Sequence, residues 1–215
     1  MILTGPIHKP LSGDKPRSIC VLLHGVGSNG DDLISLAPIF AEEFPDTIFI
    51  SPNAPEAYEF GVGGYQWFPY YNRSHSQIIE GLEKASVIVG RYLQELLDEY
   101  KLPPEKLVLM GFSQGAMVSV HTGLTMQDNI AGVVSFSGGI LKVDISSFEV
   151  RSNPPICLIH GEADEVVPCN MSAASTKILD NLGVSSEFHP IKNLGHSIDM
   201  NCITIAKGFL QKVLG

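Results

Sequence analysis

The stretch Lys106 to Met117, KLVLMGFSQGAM, constrains this chain more than any other. A short apolar run, Leu107-Val108-Leu109-Met110, stops at Gly111 and gives way to Phe112-Ser113-Gln114-Gly115 and then to good helix formers. Strand, sharp turn, helix is the setting of a G-x-S-x-G elbow, in which a serine stands on a strained turn with its hydroxyl pointing out. The glycines have a steric reason, since side chains at 111 and 115 are expected to collide with the neighbouring strand and helix. A helix starting here aims free backbone N–H groups and its positive dipole end at the serine, which favours an oxyanion there. Only roughly 0.07 chance matches to the bare pattern are expected in a chain of this length. The flanking strand and helix reduce that further, so Ser113 reads as a nucleophile.

The rest of the chain alternates apolar strands with helical patterns. Residues 1 to 17 read as an edge strand plus a loop. Ser18 to His24 is a continuous apolar run suited to a strand buried on both faces of a parallel sheet. A glycine-rich turn, His24-Gly25-Val26-Gly27-Ser28-Asn29-Gly30, leads into a helix carrying Leu33, Leu36, Ala37, Phe40 and Phe44, with Asn29 or Asp31 as its cap. Thr47 to Ile50 is a second strand. Pro52 to Ser76 shows no periodicity, yet it holds seven of the chain's aromatics: Tyr58, Phe60, Tyr65, Trp67, Phe68, Tyr70 and Tyr71. Loops of this length tend to be functional. Ser76 to Tyr100 is the longest helix, with Ile78, Leu82, Ala85, Val89, Leu93 and Leu96 on one stripe and Pro103-Pro104 beyond its end. After the elbow come a helix to about Met126, a strand over Ile130 to Phe136, an irregular stretch from Ile140 to Asn153 and a strand over Pro155 to His160. A helix over Asn170 to Leu182 stopped by Gly183, a strand over Ser185 to Ile191 and a helix over Ser197 to Leu214 follow. This alternation predicts an α/β fold with a mostly parallel central sheet and helices on both faces. No linker or repeat divides the 215 residues, so one domain is expected over 1–215, carrying an aromatic loop at about 52–76.

Composition narrows the class. Acidic residues outnumber basic ones, 23 to 14, and are spread along the chain, which leaves no basic patch for nucleic acid. No apolar run approaches the ~20 residues of a membrane span, and MILTGPIHKP lacks the basic start and apolar core of a signal peptide. The four cysteines form no C-x-x-C pair, which argues against a zinc or redox motif and for reduced thiols in a cytoplasmic protein.

A neutral serine needs a histidine base, and the histidine needs a carboxylate to hold its tautomer. In open parallel sheets reactive groups collect at the carboxyl ends of strands. Of the seven histidines, His196 follows the last strand and precedes the last helix. His24 and His160 also end strands, but each lies upstream of a better-placed group. Asp164 follows the fifth strand; Glu162, Glu165 and Asp144 are its rivals, while Asp199 reads as a helix cap. The order Ser113, Asp164, His196 is the α/β-hydrolase order. An oxyanion hole needs two N–H donors; Gln114, the residue after the serine, and Val26, in the glycine-rich turn, are placed to supply them.

Several stretches of the chain resemble the phospholipase/carboxylesterase family of α/β-hydrolases, which includes acyl-protein thioesterases and lysophospholipases. They are LHGVGSNGDDLISLAP, SPNAPE, QWF, GFSQGAM, SFSGG, HGEADEVVP and GH, and they occur in family order. The resemblance is closer to the bacterial carboxylesterase branch. It implies an α/β-hydrolase fold, catalytic Ser113, Asp164 and His196, an oxyanion hole at Val26 and Gln114, and an acyl groove near Trp67 and Phe68, with Gly25 as a further substrate contact. Phe68-Pro69 departs from the Asp or small polar residue that commonly follows Trp-Phe in the family. The expected reaction is hydrolysis of esters or thioesters of short to medium acyl chains, on small molecules or on an acylated protein. Acyl-protein thioesterase or lysophospholipase work on long chains is the alternative, and a non-catalytic binding protein on the same scaffold a remote one. The triad needs no metal and no organic cofactor. Oligomeric state is not legible, and a homodimer is left open.

Overall fold

The computed structural model describes residues 3–141 and 149–215. Asp144, weighed above as a rival acid, and part of the irregular stretch after Ile140 lie outside the described residues. Seven strands form one sheet in the order β1-β3-β2-β6-β7-β8-β9. They are β1 (Ile7–His8), β2 (Ser18–Leu23), β3 (Thr47–Ile50), β6 (Leu107–Phe112), β7 (Gly132–Phe136), β8 (Ile156–Gly161) and β9 (Ser186–Ile191). Only β1 runs antiparallel, against β3; the other six are parallel. The sheet is therefore mostly parallel, as expected, with the edge strand at its N-terminal margin.

Period-two alternation divides the core. Ile19, Val21, Leu23, Leu107, Leu109, Val133, Ile156 and Leu158 point to one face, where α3 (His75–Tyr100) and α4 (Gln114–Thr125) supply Leu82, Val89, Leu93, Val118 and Val120. Cys20, Leu22, Val108, Met110, Val134, Phe136, Cys157 and Ile159 point to the other, against Phe40 and against Ile203, Ala206 and Phe209 of α6 (Met200–Leu214). Continuous apolar runs in β2, β6, β7 and β8 are thus what two covered faces require.

Three elements differ from the sequence pattern. The helix expected after Asn29 is two short pieces, α1 (Gly30–Ile34) and α2 (Ala37–Ala41). Asn29 caps the first by accepting from the Asp32 amide at 3.0 Å, and Pro38 sits in the first turn of the second. Helix α3 begins at His75, where Ser74 and Gln77 form a capping box, and ends on Lys101 in the left-handed region at φ 55°. Helix α6 starts at Met200 because Asp199 accepts from the Cys202 amide at 2.9 Å, the cap role expected of that acid. Helix α5 (Asn170–Asn181) covers the β8 end of the sheet.

The aromatic segment is folded. A two-stranded hairpin, β4 (Glu56–Ala57) with β5 (Tyr65–Gln66), crosses it. Gly27 N donates to Tyr65 O and Tyr65 N to Ser28 O, each at 2.8 Å, so the hairpin docks on the turn after β2. No helix among the described residues is long and apolar enough to cross a membrane.

Candidate active site

The carboxyl ends of β2, β6, β8 and β9 meet at one edge of the sheet. Ser113 joins β6 to α4 with φ 54° and ψ −118°, a conformation that costs a non-glycine residue about 1–3 kcal/mol. The flanking glycines are sterically required. A Cβ on Gly115 would lie 2.0 Å from Leu23 O, and one on Gly111 would lie 2.3 Å from Gly115 O. Ser113 makes no side-chain cap bond to its helix, so its hydroxyl is not consumed by structure.

Asp164 and His196 come together through backbone. Glu162 N donates to Ile191 O and Ala163 N to Leu194 O, both at 2.9 Å, which ties the turn after β8 to the turn after β9. Gly161 permits this approach, since a Cβ there would lie 2.2 Å from Leu194 O. His196 Nδ1 then lies 2.7 Å from Asp164 Oδ2. A carboxylate only accepts, so the imidazole carries its proton on Nδ1 and leaves Nε2 as the basic nitrogen. The His196 ring lies against Phe112, the neighbour of Ser113, with centroids 4.8 Å apart. Glu162 and Glu165, the rivals in the same turn, are exposed.

Asp164 is held on every side. Its Oδ1 accepts from the Val166 and Val167 amides at 2.9 and 2.8 Å, and its Oδ2 also meets His160 Nε2 at 3.1 Å. Burial pushes the carboxyl up, but the bond from His196 and those from the Val167 and Val166 amides outweigh it and hold the group below the usual aspartate value. His160 is buried, with Nε2 also 2.9 Å from Val167 O and Nδ1 2.7 Å from Ser172 Oγ. With two acceptors beside it, Nε2 carries a proton and donates toward both. Sequence reasoning passed over His160 in favour of His196. Its position four residues before Asp164, at the end of the same strand, was the available signal.

The turn after β2 packs on the elbow. A Cβ on Gly25 would lie 3.4 Å from Ser113 Cβ. Neither the Val26 nor the Gln114 amide has an acceptor among the described residues; Gln114 opens α4, where amides are free by construction. Buried side chains hold this turn. His24 Nδ1 donates to Gly25 O at 2.8 Å and its Nε2 accepts from Ala54 N at 3.0 Å, which fixes a neutral ring. Burial correspondingly keeps His24 below the ordinary histidine value, against the opposing pull of Gly25 O and Asp32.

Trp67 and Phe68, expected near an acyl groove, are both buried in the core, 2% and 1% exposed. Trp67 Nε1 donates to His24 O at 2.8 Å, Trp67 N to Gln114 Oε1 at 2.9 Å, and Gln114 Nε2 to Phe68 O at 2.7 Å. This clamp joins the aromatic segment to both the turn after β2 and the elbow, and neither side-chain partner of it was legible beforehand. Trp67→Phe keeps an aromatic ring but removes part of its volume and leaves the His24 carbonyl unpaired, and is expected to cost about 2–3 kcal/mol of stability. Acyl-length preference should stay as in the wild type. Thermal unfolding alongside an ester series checks both; altered length preference at unchanged stability would restore Trp67 to the groove wall.

Exposed aromatics lie further out. Tyr58, Phe60, Tyr71 and Tyr70 form a chain of edge-on rings with centroids 6.0, 5.6 and 5.8 Å apart. Phe60 and Tyr71 are 57% and 44% exposed. His196 also borders a hollow of about 290 Å³, lined by Gly25, Asp32, Leu33, Leu36, Phe112 and Ile198 among others.

Comparison with known proteins bears on this arrangement. The family model described as Phospholipase/Carboxylesterase matches residues 11–214. The chain is 29% identical over 214 residues to acyl-protein thioesterase 1 of Debaryomyces hansenii, covering 92% of each, and 30% identical to that of Aspergillus fumigatus, covering 93% of this chain and 89% of the relative. Among solved structures, esterase PE8 superposes with a TM-score of 0.94 at 36% identity over the whole of both chains. Acyl-protein thioesterase 2 of Zea mays gives 0.75 at 25% identity, with 98% of each chain covered.

Proposed function

Because this chain belongs to the phospholipase/carboxylesterase family of α/β-hydrolases and is a serine hydrolase, we propose that it cleaves esters or thioesters of short to medium acyl chains at Ser113. His196 is the base, Asp164 orients it, and the Val26 and Gln114 amides form the oxyanion hole. The observation that carries this reading is the 2.7 Å Asp164–His196 bond beside the strained Ser113 turn.

The course of reaction follows from the proton inventory. His196 Nε2 takes the Ser113 proton as Oγ attacks the carbonyl carbon, and the carbonyl oxygen gathers negative charge between the two amides. Asp164 stabilises the imidazolium without taking its proton. The tetrahedral centre collapses, the alcohol or thiol leaves with the proton from Nε2, and an acyl-Ser113 ester remains. Water, deprotonated by the same nitrogen, attacks that ester; collapse releases the acid and returns the proton to Oγ. The 215 residues act in this as one domain, and their four unpaired cysteines support a cytoplasmic setting.

A hollow of about 290 Å³ is at the small end for ligand sites and supports a short to medium acyl or leaving group. Asp32 on its wall disfavours carboxylate-bearing substrates. The exposed Phe60–Tyr71–Tyr70 rings favour a second reading, long acyl chains lying along them. Rates on p-nitrophenyl esters from acetate to palmitate, with matched thioesters, separate the two. The first reading expects a maximum at short or medium length that Phe60→Ala leaves in place. A maximum at long chains that Phe60→Ala lowers several-fold would replace it with the second.

A further inference from the structure

We propose that Cys157, Glu187 and His189 form a binding site for a divalent ion of borderline softness, Zn²⁺ foremost, on the α6 face of β8 and β9. The strand register places Cys157 opposite Glu187 and Ile159 opposite His189, so Glu187 and His189, two residues apart, share the face that Cys157 presents. Their ligand atoms all lie within 4.8 Å of one another. Zinc bonds of ~2.0–2.3 Å in tetrahedral array put ligand atoms roughly 3.3–3.6 Å apart. Glu187 Oε1 and His189 Nε2 already stand at 3.4 Å, and the remaining separations, none above 4.8 Å, are within about 1.5 Å of that geometry.

Two features favour a site over an ordinary polar cluster. The His189 Nε2 atom is buried, and its one close polar neighbour among the described residues is Glu187 Oε1 at 3.4 Å, longer than a good hydrogen bond. A buried nitrogen satisfied only by so long a contact costs stability that a ligated metal would recover. Glu187, meanwhile, divides its oxygens: Oε2 holds Lys212 Nζ at 2.9 Å, while Oε1 faces His189 Nε2. Lys212 would thus orient the carboxylate ligand from behind, as outer partners of metal sites do. Thiolate and carboxylate together balance the charge of a divalent ion, and the imidazole with a thiolate selects zinc-like ions over calcium or magnesium. Three protein ligands leave one position for water. Glu187 and His189 are partly exposed and give the ion its path from the β9 edge.

The consequence lies in the strands. Cys157 precedes Asp164 by seven residues, and His189 precedes His196 by the same count. An ion there would clip together the two strands whose ends deliver the proposed acid and base, a step that rests on the hydrolase reading; the site itself does not.

Cadmium is the probe, because its thiolate complexes absorb in the near ultraviolet. Titration of the whole protein is expected to give one equivalent of that band and a raised melting temperature. Cys157→Ser should abolish the band, His189→Gln should weaken binding about tenfold or more, and Cys169→Ser, at the half-buried cysteine, should change neither. His189→Gln also covers the case in which Cys157→Ser fails to fold. Absence of the band in wild type, its survival in Cys157→Ser, or its loss in Cys169→Ser overturns the proposal. Running the titration on Ser113→Ala protein separates the outcomes: the ion is expected to bind whether or not Ser113 proves to be the nucleophile.

Discussion

Ser113→Ala is expected to lose about five to six orders of magnitude in kcat, close to 8 kcal/mol of transition-state stabilisation at about 1.4 kcal/mol per decade. Without Oγ there is no acyl-enzyme, and His196 has nothing to deprotonate but water. The fold should survive, because Ser113 caps no helix and its backbone bond, Ser113 N to Phe136 O at 2.9 Å, does not involve the side chain. Melting should therefore move little. Ser113→Gly sharpens the test. It is equally inactive, but glycine adopts φ 54° without steric cost, so relief of strain outweighs its larger unfolded-state entropy and stability should rise by about 1 kcal/mol. A fluorophosphonate should label the wild type and neither variant. Retention of more than a few per cent of turnover in Ser113→Ala would remove Ser113 from the nucleophile's place.

The elbow was legible because its requirements are local. A serine held at positive φ between strand and helix needs Gly111 and Gly115 within five residues, and both were visible in the sequence. The parallel sheet was legible for a similar reason: β2, β6 and β8 are buried on both faces, which forbids polar alternation. The pairing of Asp164 with His196 was legible through a topological rule rather than a local one, the collection of reactive groups at strand ends. The burial of Trp67 was not legible because a dense aromatic segment reads alike whether its rings line a groove or fill a core. What decides is the Gln114 side chain, 47 residues away, whose amide takes both Trp67 N and Phe68 O. A contact of that span leaves no periodicity. The helix after Asn29 was overdrawn for another reason: its apolar spacing runs on through a break that only the two separate turns reveal.

Asp164→Asn should lower kcat about 10⁴-fold, or about 5.5 kcal/mol, with little change in KM. The argument is an inventory of donors. Asp164 accepts from four directions: two backbone amides on Oδ1, and His196 and His160 on Oδ2. An asparagine has one oxygen. The Val166 and Val167 amides are fixed donors, so that oxygen must face them, and the NH₂ group turns toward the histidines. His196 Nδ1 then has to accept, its proton moves to Nε2, and the imidazole can no longer take the Ser113 proton. His160 keeps Val167 O as an acceptor, which limits the structural damage. Stability supplies an independent readout. A carboxyl held below its ordinary value contributes stability that is complete above the unfolded-state pKa and is lost as pH falls through the lowered folded-state one. The variant should melt below the wild type at neutral pH, and the gap should close as the solution is acidified through that window. If the variant kept a tenth of the wild-type kcat, the carboxylate would not be setting the tautomer of His196. If the melting gap stayed constant with pH, the lowered Asp164 carboxyl would not be its source.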